Sequence, residues 1–265
     1  MIQCDYHVHS YLSFDAFDDL PTIARAAQEK GLNQICVTDH YECTQYNAYE
    51  KNRPVSMMRE TYLRAVAANQ TDVKLLFGVE LGCPNHLNEL AELALSDGKF
   101  DFVIASSHNT RGRGDFYRMD YSEDLTPVFR QYYEELFEIL RWGKFDVIGH
   151  LNYFERYAVR DGYELDLRPY LDMAGELFCQ LVRENKGIEL NTAGLFQPVH
   201  KTQPDLDFLK LYRDCGGKIV TVGSDSHQAA HVGRGMDRAR EMLLATQPQC
   251  DPDEVRYALE QTDAI

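Results

Sequence analysis

The first residues in the chain that could do chemistry are two histidines, His7 and His9, which follow Asp5 at alternate positions. Alternate side chains of a β-strand point to the same face, so a strand over residues 2–9 would present all three together. Two imidazoles on one face can chelate a metal ion. His-x-His pairs also occur on strands that bind no metal, so this segment by itself leaves a metal site and a structural role equally open.

Other residues of metal-binding and catalytic type follow the apolar segments further along the chain. Six of the nine histidines fall at or just after the end of a predicted strand, although such positions are a small part of the sequence. Random scatter would not sort them in this way, so we expect a common site. The strand-end residues are His7 and His9, Asp39 and His40, Glu80, His108, His150, Asn191, and Asp225 and His227.

The elements that must position these residues alternate regularly. Apolar runs predict seven strands, and each strand but the last is followed by a helix before the next strand begins. This order predicts a parallel sheet closed into a barrel, whose catalytic residues lie at the carboxyl ends of the strands. The predicted strands cover residues 2–9, 34–38, 74–79, 102–106, 147–149, 187–190 and 219–223, and the predicted helices cover residues 20–30, 55–69, 87–95, 127–142, 167–184, 206–215, 237–245 and 252–261.

Size and charge limit the classes of function. The chain has 265 residues, 44% of them hydrophobic, and no segment has the composition of a linker, so we expect one domain over residues 1–265. Its 42 acidic and 27 basic residues give a net charge of -15, which argues against binding a nucleic acid polymer. If the substrate is an anion, bound metal cations would supply the missing positive charge.

The termini and the cysteines indicate the compartment. No signal peptide fits the opening residues, and no run approaches the roughly 18 apolar residues of a membrane helix. We therefore expect a cytoplasmic protein with no membrane partner; its oligomeric state stays open. The seven cysteines are odd in number, widely spread and never in a C-x-x-C pair, so we expect reduced thiols. They are Cys4, Cys36, Cys43, Cys83, Cys179, Cys215 and Cys250.

A mixed set of histidine and carboxylate ligands predicts zinc, manganese or iron. A catalytic ion usually takes three protein ligands and keeps a position for water, so the strand ends offer too many ligands for one ion. We expect two to three divalent ions. Such a cluster lowers the pKa of a bridging water and clamps both oxygens of an in-line displacement, which is the chemistry of phosphoester hydrolysis. Asp5 is expected to support a ligand or the strand end rather than to bind metal.

Taken together, the strand-end motifs resemble those of the PHP (polymerase and histidinol phosphatase) superfamily over nearly the whole chain. The resemblance implies an α/β fold, a distorted (β/α)7 TIM-like barrel, and a cluster that commonly holds three metal ions. The motifs are Asp5-Tyr6-His7-Val8-His9, Thr38-Asp39-His40, Gly78-Val79-Glu80, Ser106-Ser107-His108, Gly149-His150 and Ser224-Asp225-Ser226-His227.

The resemblance also implies which residues hold each ion. Asp15, in the polar and aromatic loop of residues 11–19, stands where many relatives have a histidine. Glu80 would bridge the first and second ions. The implied ligands are His7, His9, Glu80 and Asp225 for the first ion, Glu80, His108 and His150 for the second, and Asp15, His40 and His227 for the third.

The segment from Glu189 to Leu195 resembles one that histidinol-phosphate phosphatases carry after their sixth strand. This implies hydrolysis of histidinol phosphate by a metal-bridging hydroxide, a step of histidine biosynthesis. Those enzymes usually continue with an arginine, thought to bind phosphate, whereas this chain has Phe196. A neutral ring cannot make the charge-assisted hydrogen bonds of a guanidinium, each worth about 1.5 to 3 kcal/mol.

Other side chains could replace that arginine. Arg160 is the best placed by resemblance, and Asn191 is expected either to contact substrate or to cap the turn that follows it. Asp225, His227 or a bound water could give the leaving alcohol its proton. The remaining candidate cations are Arg111, Arg113, Arg156, Lys201 and Arg234.

Two other functions remain open. A phosphatase or phosphodiesterase acting on another small metabolite or a nucleotide is favoured by Phe196, because an aromatic ring could stack on a base. A catalytically silent metal-binding scaffold is the alternative from a different class. The complete set of ligand residues argues against the scaffold.

Overall fold

The computed structural model describes residues 3–44 and 51–246, and its strands run parallel in a single sheet. Seven of them hydrogen-bond in chain order, β1-β2-β4-β5-β6-β7-β8, while β3 pairs with β4 on one side. The predicted (β/α)7 TIM-like barrel is confirmed. The strands are β1 (Cys4–Val8), β2 (Gln34–Val37), β3 (His40–Glu42), β4 (Lys74–Gly82), β5 (Phe102–Ser106), β6 (Val147–Ile148), β7 (Gly187–Asn191) and β8 (Val220–Gly223).

The first and last strands nearly close the barrel. Val8 at the end of β1 forms a parallel bridge with Ser226, just beyond β8. The backbone N–H of His9 donates to the carbonyl of Ser226 at 2.9 Å. The two loops that carry His9 and Asp225 are therefore joined through the backbone at the carboxyl end of the barrel.

The second predicted strand divides into two. β2 pairs with the first half of β4, and after an interruption at Thr38 and Asp39 the chain resumes as β3, which pairs His40 with Glu80. The interruption has a physical cause, because the Asp39 carboxylate accepts hydrogen bonds from the backbone N–H and hydroxyl of Ser10 at 2.7 and 2.8 Å. β4 is consequently longer than predicted and reaches Gly82.

Helices follow the strands as predicted, with small shifts at their ends. The predicted helix over residues 167–184 starts with a 3-10 turn at Arg168–Tyr170 before the α-helix proper, and the prediction over residues 252–261 lies outside the described residues. The helices are α1 (Leu20–Glu29), α2 (Val55–Ala68), α3 (Asn88–Gly98), α4 (Thr126–Trp142), α5 (Glu155–Arg160), α6 (Leu171–Arg183), α7 (Leu206–Asp214) and α8 (Met236–Thr246).

The apolar faces of these helices pack on the strands. Leu136 and Ile139 of α4, both fully buried, belong to one core cluster with Val79 of β4 and Ile148 of β6. Burying a side chain of this size contributes about 1.5 to 3 kcal/mol. The strands are held from outside, and their carboxyl ends are left for polar residues. In residues 3–44 and 51–246, no helix combines the length and apolar character needed to cross a membrane.

One pair of cysteines corrects the sequence-based expectation. The structure joins Cys179 in α6 to Cys215, the residue after α7, in a disulfide between residues 36 positions apart. The expectation of reduced thiols is therefore wrong for this pair. The packing of α6 beside α7 brings them together, and sequence spacing carries no signal of that contact. Cys4, Cys36, Cys43 and Cys83 are free thiols, and Cys250 lies outside the described residues.

Candidate metal centre

Glu80, near the end of β4, lies fully buried at the centre of a histidine cluster. Its Oε1 is 2.7 Å from Nε2 of His150 and 3.2 Å from Nε2 of His108. Its Oε2 is 2.8 Å from Nδ1 of His40. Three strand ends, which are distant in sequence, thus bring imidazoles to one carboxylate.

His7 in β1 and His9 just after it also face this carboxylate. Nε2 of His7 is 3.4 Å from Oε2 of Glu80, and Nε2 of His9 is 3.7 Å from the same oxygen. Asp225 completes this group, with its Oδ1 at 3.5 Å from Nε2 of His9 and 3.9 Å from Nε2 of His7. Asp225 adopts a φ of 51°, a conformation that is uncommon outside glycine and is concentrated at functional sites.

Asp15, His40 and His227 lie on the outer side of the cluster. Oδ1 of Asp15 is 3.4 Å from Nε2 of His227 and 3.7 Å from Nε2 of His40. The rings of His40 and His227 each stack on His9, with centroids 4.3 Å away. The Asp15 side chain is 40% exposed, so this group marks the mouth of the site.

Several of these ligand atoms are shielded from solvent without a hydrogen-bond partner. Proteins rarely leave buried polar atoms unsatisfied, so the convergence of these donors indicates a site for a cation, which accepts their lone pairs. Three sets of residues each offer ligand atoms within 4.8 Å of one another: His9, His40 and His227; His7, His9 and Asp225; and His40, Glu80 and His108. Nitrogen and carboxylate oxygen donors fit zinc, manganese or iron. The unpartnered atoms include His7 Nε2, His9 Nε2, Asp15 Oδ1, His40 Nδ1 and Glu80 Oε2.

The charges in this cluster are strongly coupled. Burial opposes protonation of His7, yet Glu189, Glu80 and Asp225 raise its pKa well above 6.5. Burial raises the pKa of Glu80, but the nearby His7, His40 and His108 have the larger combined effect and hold that pKa well below 4.5. Burial, with His227 and His40 nearby, lowers the pKa of His9 to about 3. His9 is therefore neutral and has a lone pair to offer a cation.

Two buried glutamates that the sequence-based analysis missed hold the histidines in place. Oε1 of Glu189 in β7 is 2.6 Å from Nδ1 of His7, and Oε1 of Glu42 in β3 is 2.8 Å from Nδ1 of His108. A carboxylate on one ring nitrogen fixes the tautomer and directs the other nitrogen at the ligand position. Their spacing could have identified them. Glu189 is two residues from Asn191 and Glu42 is two residues from His40, so each glutamate shares a strand face with a predicted site residue.

Glycines make room for both carboxylates. A Cβ atom at Gly82 would overlap the Glu42 carboxylate, and one at Gly223 would overlap the Glu189 carboxylate. These glycines lie at the ends of β4 and β8, beside the centre. Asp5 lies behind it, since its carboxylate accepts from the backbone N–H of Ser224 at 2.9 Å and so joins β1 to the loop after β8.

Three of the predicted substrate contacts are paired with acidic side chains. The structure pairs Arg160 with Asp161 at 2.7 Å, Lys201 with Glu155 at 2.6 Å, and Arg111 with Glu138 at 2.5 Å. Each cation has an acidic partner in the described chain, a contact that sequence position alone does not reveal.

Asn191, by contrast, lies within the site. Its amide nitrogen is 3.3 Å from Oδ2 of Asp225, and its Oδ1 accepts from the backbone N–H of Ala193 at 3.0 Å. It both caps the turn after β7 and faces the cluster. Phe196 lies on the rim with 56% of its surface exposed.

Arg156 borders the centre. It is 7% exposed, its Nη1 is 3.5 Å from Oδ2 of Asp225, and its Nε donates to Gln203 at 2.9 Å. Its Nη2 is buried and has no hydrogen-bond partner. Arg156 precedes Arg160 by four residues on α5, so the two share a helix face but differ in depth along the axis.

The sequence matches a known domain family and relatives with assigned names. The family model of the PHP domain matches residues 5–193. A probable histidinol-phosphatase of Thermotoga maritima is 30% identical over 241 residues, which are 90% of this chain and 90% of that protein. The histidinol-phosphatase of Lactococcus lactis is 26% identical over 92% of this chain and 91% of its own length.

Solved structures show the same architecture. The crystal structure of histidinol phosphate phosphatase from Lactococcus lactis, complexed with zinc, L-histidinol and phosphate, matches with a TM-score of 0.75 at 23% identity. The match covers 92% of this chain and 93% of that one. A second structure, of a histidinol phosphatase homologue from Listeria monocytogenes, matches with a TM-score of 0.73 at 17% identity. At identities of 23% and 17%, these two matches show that the fold is shared.

Proposed function

The chain belongs to the PHP domain family, and from this premise we propose that it is a metal-dependent phosphomonoesterase that hydrolyses histidinol phosphate to histidinol and phosphate. The observation that carries the proposal is the convergence of unpartnered buried nitrogen and oxygen atoms around Glu80. Relatives matched along most of their length, and named histidinol-phosphatase, support this substrate. With this reaction we also propose a role in histidine biosynthesis and a cytoplasmic location.

We assign the candidate ligand atoms to three cation positions. Zinc, manganese or iron bound there would acidify a water molecule and neutralise charge on the phosphoryl oxygens. Glu80 would contribute both of its oxygens, because Oε1 faces His108 and His150 while Oε2 faces His7 and His9. The proposed sets are His7, His9, Glu80 and Asp225; Glu80, His108 and His150; and Asp15, His40 and His227.

The chain's own residues bind and orient the substrate. Arg156 is held in place by Gln203 and Asp225, and its unpartnered Nη2 is available to a phosphoryl oxygen. A guanidinium held in this way loses little conformational entropy when it binds an anion. Asn191 supports Asp225 through its amide nitrogen. These contacts position one phosphoryl group beside the cluster.

The alternative substrate, a nucleotide whose base stacks on Phe196, has less support. The guanidinium of Arg234 lies over the Phe196 ring, 5.1 Å from its centroid. A base would have to compete with this cation for the ring. The proposal therefore keeps a small phosphorylated metabolite as the substrate.

The test is turnover of p-nitrophenyl phosphate and histidinol phosphate by protein loaded with manganese or zinc. We expect turnover with both esters, and we expect His7→Ala to lower kcat/KM by about a thousandfold or more, since it removes a ligand at the centre. His200→Asn is the matched control, because His200 is exposed and asparagine tolerates its φ of 48°. Metal-loaded protein without activity on either ester would refute the proposal.

A further inference from the structure

Arg234 combines a partly buried position with an unpartnered polar atom. Arg238 on the neighbouring helix is exposed instead and pairs with Glu241 at 2.9 Å. Within residues 3–44 and 51–246, Arg234 has no carboxylate within ion-pair distance, and its Nε is shielded from solvent without a hydrogen-bond partner. A partly buried cation without a partner is costly unless it meets an anion.

The backbone fixes Arg234 against the loop that follows β7. It lies between Gly233 and Gly235, which have φ angles of 68° and 77°. Its carbonyl accepts from the Thr192 hydroxyl at 2.7 Å, and a Cβ atom at Gly235 would lie 2.9 Å from Cβ of Thr192. Only glycine allows so close an approach with this backbone conformation.

Phe196 then holds the side chain. The Arg234 guanidinium stacks on the exposed Phe196 ring at 5.1 Å, a cation–π contact that fixes the charge without neutralising it. Phe196 therefore contacts Arg234, which belongs to the same loop after β8 as Asp225 and His227.

Arg234 lies at the same end of the barrel as the candidate metal centre. Its carbonyl contacts Thr192, which follows Asn191, and the Asn191 amide nitrogen is 3.3 Å from Oδ2 of Asp225. Burial lowers the pKa of Arg234 from its usual value, the Asp225 carboxylate raises it, and the Arg156 guanidinium lowers it further. A doubly charged phosphoryl group would attract both guanidiniums, whereas a neutral ligand would not.

We propose that Arg234, held on Phe196, is a substrate-binding residue that takes a phosphoryl oxygen opposite Arg156. This inference rests on the proposed function and adds a residue to it. The phosphoryl group lies between the two guanidiniums, with Phe196 as a support for one of them. Phe196 is therefore a positioning residue.

The experiment measures binding of inorganic phosphate to manganese-loaded protein by calorimetry, together with KM and kcat for p-nitrophenyl phosphate. We expect Arg234→Ala to raise the Kd for phosphate and the KM by about tenfold, since one charge-assisted contact is lost, while kcat changes less. Arg234→Lys should recover part of the affinity, and Phe196→Leu should weaken phosphate binding less than Arg234→Ala. Arg238→Ala is the matched control, because Arg238 is exposed and paired with Glu241.

The outcomes separate the two proposals. Wild-type binding of phosphate that Arg234→Ala leaves unchanged overturns the role of Arg234, and so does absence of phosphate binding to wild-type protein. A wild-type protein that binds phosphate through Arg234 but hydrolyses neither ester refutes the proposed function and leaves this inference standing. Circular dichroism of each variant confirms that the fold is retained.

Discussion

At the scale of single residues, the histidines that meet around Glu80 could be predicted from sequence, and the carboxylates that contact them could not. His7, His9, His40, His108 and His150 stand out in sequence because each ends an apolar run. Glu42 and Glu189 lie inside short strands, where a buried glutamate has no composition signal of its own. Choosing among arginines required the structure, because α5 places Arg156 at the centre and Arg160 at the surface.

Glu189 gives the first prediction at this scale. Glu189→Gln keeps the shape but removes the charge that faces His7 at 2.6 Å, so we expect metal affinity to fall by about 10- to 100-fold. Metal titration followed by calorimetry measures this. Glu184→Gln, which changes an exposed glutamate near the end of α6, is the control. Equal metal affinity in all three proteins would show that Glu189 has no part in orienting His7.

The two arginines of α5 give the second prediction at this scale. Arg156→Ala should raise KM for histidinol phosphate by about tenfold, because the guanidinium beside Asp225 is lost. Arg160→Ala should have the smaller effect, because Arg160 already pairs with Asp161 at 2.7 Å. Steady-state kinetics of the two variants decide between them. The reverse order of effects would restore Arg160 as the phosphate contact that the sequence resemblance suggested.

At the scale of elements, the order of strands and helices was predictable and the breaks within them were not. Hydrophobic periodicity identified the strands of the barrel path, but β3 has only three residues, and all three, His40, Tyr41 and Glu42, have titratable side chains. Its existence depends on pairing with β4, which is a long-range contact. The pairing of α6 and α7 through Cys179 and Cys215 is missed for the same reason.

Helix α1 gives a prediction at the scale of elements, because it begins directly after the loop that carries Asp15. Asp19 caps the helix by accepting from the Thr22 backbone N–H at 2.9 Å. Asp19→Ala should lower the free energy of unfolding by about 1 kcal/mol at pH 7. Hydrogen bonds from Thr22 lower the pKa of Asp19 below 3.8, so the cap's contribution is complete above that pH and is lost as the pH falls further.

Urea denaturation at pH 7, 5 and 3.5 tests the cap. The difference between wild type and Asp19→Ala should be the same at pH 7 and 5 and smaller at pH 3.5. Glu29→Ala, at the exposed end of the same helix, should change stability by less than about 0.5 kcal/mol. A difference that grows towards low pH would contradict the assignment of Asp19 as the charged cap.

At the scale of the whole molecule, the site joins the two ends of the barrel. The candidate ligand residues come from the first strand, the middle strands and the loop after the last strand, so a bound cation would link segments separated by most of the chain. The chain carries a net charge of -15, and buried carboxylates gather around Glu80 and Asp225. Cations at the centre would offset this concentration of negative charge.

Metal removal should therefore destabilise the whole protein. A ligand present at 100 times its Kd stabilises the folded state by about 2.7 kcal/mol, so we expect a chelator to lower Tm by several degrees and added zinc or manganese to restore it. The control is His7→Ala, whose Tm should respond much less to chelator. Thermal denaturation followed by circular dichroism measures both. A Tm of wild-type protein that is insensitive to chelator and to metal would argue against a resident cation.

The substrate is the central claim, and one comparison tests it most directly: kcat/KM for histidinol phosphate against kcat/KM for p-nitrophenyl phosphate, measured on the same manganese-loaded protein. An enzyme built for histidinol phosphate uses contacts with the rest of the substrate to stabilise the transition state. We therefore predict a kcat/KM for histidinol phosphate that is higher by on the order of a hundredfold. A value no better than that for p-nitrophenyl phosphate would contradict the assignment.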